Sequence, residues 1–113
     1  MQIAICDDEV SMVQILEEKI KKLLPDAVID KYLSGDELIA SGSKPDILFL
    51  DIQMPGITGI EFAHTVSKRT LIIFTTAYTE YALDSYEVDA IDYLVKPIEP
   101  ERFQKAVKKA LSY

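Results

Sequence analysis

The sequence predicts an α/β domain in which a parallel sheet carries helices on both faces. Three observations lead there. Short apolar runs alternate with stretches of helical spacing along the whole chain, one run is apolar at every position, and the acidic and basic side chains gather just after the runs. At 113 residues, net charge −7 and 49% hydrophobic residues, one domain with one core is expected over residues 1–113.

The first run, Ile3-Ala4-Ile5-Cys6, ends at Asp7 and Asp8. Val10, Val13, Leu16, Ile20, Leu23 and Leu24 then recur at helical spacing until Pro25 stops them, so a strand feeds an amphipathic helix. Residues 27–33 alternate weakly, as suits a strand at a sheet edge, and Ser34-Gly35-Asp36-Glu37 offers a cap for a short helix ending near Gly42. Ile47-Leu48-Phe49-Leu50 is tolerated as a strand only where both sheet faces are covered, which places it centrally. A third helix is expected beyond Met54-Pro55-Gly56, entered at Thr58 and Gly59 and burying Ile60, Phe62, Ala63 and Val66. Leu71 to Phe74 reads as the fourth strand, residues 79–86 as a helix and residues 90–95 as the fifth strand, ended by Lys96-Pro97. Pro100 opens the last helix, whose apolar side is Phe103, Val107, Ala110 and Leu111.

In such sheets ligands bind beyond the carboxyl ends of the strands. The residues standing there are Asp7 and Asp8 after the first strand, Asp51 after the third, Thr75 and Thr76 after the fourth and Lys96 after the fifth. Carboxylates brought this close raise one another's pKa, and a divalent cation relieves them. Hard oxygen donors suit Mg²⁺. Asp51, ending the apolar strand, is the best-placed nucleophile, and its attack on phosphorus would give an aspartyl-phosphate, with Lys96 and a hydroxyl neutralising charge.

Cys6-Asp7-Asp8-Glu9, Phe49-Leu50-Asp51-Ile52-Gln53-Met54-Pro55-Gly56, Thr76-Ala77 and Lys96-Pro97, in that order, resemble the receiver domain of bacterial two-component response regulators over essentially the whole chain. Residues 76–83 and 88–98 are further similar to the receivers that precede LytTR-type DNA-binding domains. The resemblance implies a flavodoxin-like (βα)5 fold with strand order 2-1-3-4-5. It implies that Asp51 accepts a phosphoryl group from the phosphohistidine of a sensor histidine kinase. Asp8, Asp51 and the backbone carbonyl of Gln53 would hold Mg²⁺, with Asp7 bound through water. Lys96 would pair with the phosphate, Thr76 rather than Thr75 would donate its hydroxyl to it, and a cis peptide would precede Pro97. Tyr93 would be the aromatic that turns inward when Thr76 moves. A signalling switch follows, not an enzyme beyond its own phosphorylation and dephosphorylation, with a LytTR-type output domain beyond Tyr113 and homodimerisation on phosphorylation. Asp51 and Thr76 stand only 25 positions apart, so the third helix or its exit is expected to be curtailed between Val66 and Leu71.

Plainer readings apply to other residues. A pI near 4.6 disfavours nucleic acid and anionic lipid as direct partners. No run approaches the roughly 20 apolar residues of a membrane span and the N-terminus has no leader pattern, so a cytoplasmic protein is expected. The single cysteine, Cys6, suits core packing in a reducing compartment, because a thiol beside carboxylates is poorly reactive. His64, the single histidine, reads as a surface residue. Arg102, Lys105, Lys108 and Lys109 read as the solvated face of the last helix, with charges that favour a helix C-terminus. Four of six tyrosines, Tyr78, Tyr81, Tyr86 and Tyr93, fall near the last two strands and suit a partner surface. Against a receiver fold that is never phosphorylated stands the complete set Asp7, Asp8, Asp51, Thr76 and Lys96. A flavin carrier would need a glycine- and serine-rich phosphate loop after the first strand, and a carboxylate-nucleophile phosphatase an acid two residues after Asp51, where Gln53 stands.

Overall fold

Every residue of β3 (Ile47–Asp51) is buried, and the strand lies in the middle of the sheet, as its unbroken apolar run requires. The computed structural model describes residues 1–54, 69–77 and 90–113. In them β1 (Gln2–Cys6), α1 (Val10–Leu23), β2 (Val28–Tyr32), α2 (Gly35–Ser41), β3, β4 (Leu71–Thr76), β5 (Ala90–Val95) and α3 (Pro100–Leu111) follow in chain order. The five strands form one sheet in the order β2-β1-β3-β4-β5, with every neighbouring pair parallel. The helices expected within residues 58–66 and 79–86 lie outside the described residues, as do His64, Tyr78, Tyr81 and Tyr86.

Register brings the strand ends together. Cys6 stands level with Leu50, Asp51 with Thr75, and Thr76 with Val95, so Asp7, Asp51 and Lys96 emerge along one edge of the sheet. Between β4 and β5 the register shifts at Ile72/Ile73, leaving Ile91 as an extra residue on β5. The entry to β4 is pinned to the chain ahead of β3, where the Thr70 hydroxyl donates to the Pro45 carbonyl at 2.8 Å and the Leu71 N–H to that of Asp46 at 2.9 Å.

The core has two layers because alternate strand residues face opposite ways. On one side Ile3, Ile5, Ile47, Phe49 and Ile73 meet Met12, Val13, Leu16 and Ile20 of α1 and Phe103, Ala106, Val107 and Ala110 of α3. Phe49 and Phe103 pack edge to face at 5.6 Å and 68°. On the other side Ala4, Cys6, Leu48, Leu50, Ile72 and Phe74 meet Leu38 of α2, with Ile52 and Met54 joining from beyond β3. Most helix positions read as apolar from the sequence pack into the core, Leu23, Leu24 and Phe103 near helix ends included. Val10 in the first turn of α1 and Leu111 at the last residue of α3 are exposed, while Met12 and Ala106 are buried in their stead. Both misplaced residues are the terminal residues of their helices. Ile39 is likewise exposed, since a seven-residue helix buries a stripe only one side chain wide.

The short α2 is held by its ends. Ser34 accepts the Glu37 N–H at 3.1 Å, and Glu37 in turn accepts the Leu33 N–H at 2.8 Å. Gly42 closes the helix with φ 66°, a left-handed turn that disfavours any residue with a Cβ. No atom lies within 4 Å of where a Cβ at Gly42 would stand, so Gly42→Ala isolates the backbone cost. It should lower stability by roughly 1 kcal/mol, read as an earlier urea midpoint with an unchanged slope.

Candidate functional site

The buried carboxylate of Asp51 is the centre of the site. It ends β3 with 3% of its surface exposed, and its Oδ1 accepts the Gln53 N–H at 3.1 Å. Asp7, one residue past β1, is 1% exposed. Its Oδ1 accepts the Glu9 N–H at 2.9 Å and its Oδ2 the Lys96 ammonium at 3.0 Å. Asp8 points to solvent beside them, and one carboxylate oxygen from each of Asp7, Asp8 and Asp51 lies within 4.8 Å of the others. Lys96 Nζ also stands 3.5 Å from Asp51 Oδ2 and 3.6 Å from Glu9 Oε1.

These distances set the charges. Burial, then the neighbouring Asp7 charge, push the Asp51 carboxyl up to about 7, with Asp8 adding to them against the Gln53 N–H and Lys96. For Lys96 burial favours the neutral amine, yet the hydrogen bond to Asp7 and the charges of Asp51, Asp7 and Glu9 outweigh it and raise its pKa. The lysine is therefore a fixed positive charge among three carboxylates. Burial, then Asp7 and Asp51, push the Cys6 thiol up to about 12, and its Sγ rests 3.8 Å from Met54 Sδ. Cys6 is thus a core residue, as read from the sequence.

The other expected participants stand where the strands end. Thr75 and Thr76 are both buried; the Thr76 carbonyl accepts the Lys96 N–H at 2.7 Å and the Thr75 carbonyl the Ile52 N–H at 3.0 Å, tying β4 to the segments on either side. The Lys96–Pro97 peptide is cis. Tyr93 is half-buried against the second core layer. Two residues escaped sequence reasoning. Glu9, adjacent to the Asp7-Asp8 pair, reaches Lys96 and could have been found as a third carboxylate at the same strand end. Arg102 is not merely a solvated charge: it pairs with Asp92.

Three convergent carboxylates offer only hard oxygen donors, and such a cluster can hold a divalent cation of the Mg²⁺ kind. The comparison with known families then decides what the cluster belongs to, because the family model for the response regulator receiver domain matches residues 3–108. The chain belongs to the response regulator receiver domain family. A receiver domain is a phosphorylation-controlled signalling domain rather than a conventional enzyme.

Among its relatives is the positive alginate biosynthesis regulatory protein of Pseudomonas aeruginosa, 36% identical over 97% of this chain and 47% of that protein. The sensory transduction protein LytT of Oceanobacillus iheyensis is 44% identical over 70% of this chain and 36% of its own, in keeping with the likeness to LytTR-type regulators. This receiver domain spans less than half the length of the curated relatives it matches. Among solved structures, the response regulator TrrA of Thermotoga maritima in complex with Mg(2+)-BeF superposes with a TM-score of 0.82 at 32% identity, covering 96% of this chain and 97% of that one. The response regulatory domain of mrkE from Klebsiella pneumoniae gives 0.88 at 27% identity, covering 99% and 96%. Among the described residues no helix is long and apolar enough to cross a membrane.

Proposed function

We propose that residues 1–113 form one receiver domain in which Asp51 takes a phosphoryl group from the phosphohistidine of a sensor histidine kinase. The observation that carries this reading is the buried Asp51 carboxylate with two acidic neighbours within 4.8 Å and the Lys96 ammonium at 3.5 Å. An Asp51 oxygen attacks phosphorus as the P–N bond breaks, and its electron pair returns to the imidazole, which departs neutral from a ring protonated at its other nitrogen. Lys96 faces the transferred oxygens and offsets their charge, and the Thr76 hydroxyl donates to one of them. Acceptance and later hydrolysis at Asp51 are the domain's own chemistry; no other substrate is turned over.

The residues fit Mg²⁺. Their donors are all oxygens, and the raised pKa of Asp51 marks a carboxylate that an added cation would keep ionised. Asp8, Asp51 and the Gln53 carbonyl would hold the ion, with Asp7 beside them; when bound, it supplies positive charge to the transferring phosphoryl group. Asp8→Ala is accordingly expected to lose most Mg²⁺ affinity by calorimetric titration. The same variant should melt slightly higher than the unmodified domain in chelator, since one like charge is gone.

Phosphorylation then shifts a population between two packings, with Thr76 and Tyr93 moving together toward the site. The readers are a LytTR-type DNA-binding output domain beyond Tyr113 and, on phosphorylation, a second copy of the domain, in the cytoplasm and with no nucleic acid bound by the domain itself. The half-buried position of Tyr93 at the edge strand supports this. The test of the whole reading is incubation with acetyl phosphate. In Mg²⁺ the intact mass should rise by one hydroxylamine-labile phosphoryl group, and in chelator it should not. No mass gain in Mg²⁺ would overturn the reading.

A further inference from the structure

β5 is an edge strand, and its outward backbone groups at Tyr93 are taken by side chains. The Tyr93 N–H donates to Asp92 Oδ1 at 2.8 Å, and the Tyr93 carbonyl accepts from Arg102 Nη2 at 2.9 Å. Arg102 closes the loop by donating to both Asp92 oxygens, Nη1 to Oδ2 at 3.1 Å and Nη2 to Oδ1 at 2.9 Å. Such a fork is geometrically specific in a way that an ordinary surface ion pair is not.

The position of Arg102 is otherwise unexplained. Lys108 and Lys109 lie in the last turn of α3, where a cation favours the helix dipole, but Arg102 lies in the first turn, where it does not. On the inner side α3 and β5 are joined through Phe103 and Leu94 in the core. A cavity of about 450 Å³ is lined by Tyr93 to Glu99 and by Arg102. The Arg102 bonds also join strand to helix, and they end on the backbone three residues ahead of Lys96.

We infer that Arg102 is a positioning residue that fastens the first turn of α3 to the β5 backbone at Tyr93, so that a displacement of β5 at Lys96 and Tyr93 is passed to α3. The second half rests on the reading of Asp51 as phosphoacceptor. Because Arg102 grips the main chain of Tyr93, the fastening does not depend on where the aromatic ring points.

Amide exchange on the domain tests it, with and without Mg²⁺ and beryllofluoride. Without the mimic, Arg102→Ala should speed exchange at Tyr93 and at the first bonded amide of α3, Phe103, by about tenfold while leaving α1 unchanged. Arg102→Lys, which keeps the charge but cannot make the fork and the carbonyl bond together, should fall between. With the mimic, the unmodified domain should change around Asp51, at β5 and in α3; Arg102→Ala should keep the first two changes and lose most of the third. An equal α3 response in both proteins, or none in the unmodified domain despite a response at Asp51, overturns the inference. No response around Asp51 in the unmodified domain overturns the phosphoacceptor reading instead.

Discussion

Asp51→Asn should gain no phosphoryl group from acetyl phosphate and Mg²⁺ under conditions in which the unmodified domain gains one. Asparagine keeps the volume of the side chain and an oxygen that can accept the Gln53 N–H, so the pocket at the end of β3 stays filled. What disappears is the charged nucleophile. The loss is therefore expected to be complete. Lys96→Ala and Thr76→Ala, which on the proposed reading remove groups that stabilise the transferred oxygens but not the attacking atom, should slow labelling without abolishing it, each by roughly 10- to 1,000-fold. Intact-mass time courses on the proteins separate the cases. A phosphoryl adduct that persists in Asp51→Asn would move the acceptor elsewhere, and Asp7 or Asp8 would then be the residues to examine.

The same substitution should stabilise the metal-free domain, and by an amount that depends on pH. Asp51 has a folded-state pKa of about 7 against an ordinary 3.8, because burial and Asp7 disfavour its charge. A raised acid pKa means that the folded state holds its proton longer than the unfolded chain. The contribution of Asp51 to stability is thus fully present below about pH 4 and is lost as pH rises through about 7. Asp51→Asn cannot ionise, so its advantage over the unmodified domain should be small at pH 4 and reach a few kcal/mol at pH 8. Millimolar Mg²⁺ should narrow the gap at pH 8 by stabilising the unmodified domain alone, following RT ln(1 + [L]/Kd). Urea unfolding at the two pH values, with chelator or Mg²⁺, reads all four quantities. A gap that does not grow with pH would show that Asp51 is not strained by its neighbours.

The residues that could be placed from sequence are those whose environment follows from fold logic alone. An all-apolar Ile47 to Leu50 can only be a strand covered on both faces, and a parallel sheet sends the ends of β1, β3 and β5 to one edge, which is why Asp7, Asp51 and Lys96 meet. Pro100 and Gly42 mark helix ends because few other residues suit those backbones. What was hidden depends on angles rather than on order. Whether Val10 or Met12 is covered turns on which side of the first turn of α1 meets the core, and the extra residue at Ile91 has no composition of its own. The Arg102 fork joins residues ten positions apart and exists only because α3 folds back along β5. Charge on a helix face reads the same from sequence whether it is solvated or holding a neighbouring strand.

Cys6 has a practical consequence. A fully buried thiol with a pKa of about 12 should stay silent toward maleimides and iodoacetamides at neutral pH, and it is the only cysteine in the chain. The domain can therefore accept a fluorophore or spin label at a single chosen position without first being made cysteine-free. A label introduced by Lys105→Cys, on the exposed side of α3, would carry the only reactive sulfur and would turn helix movement into an optical or magnetic signal.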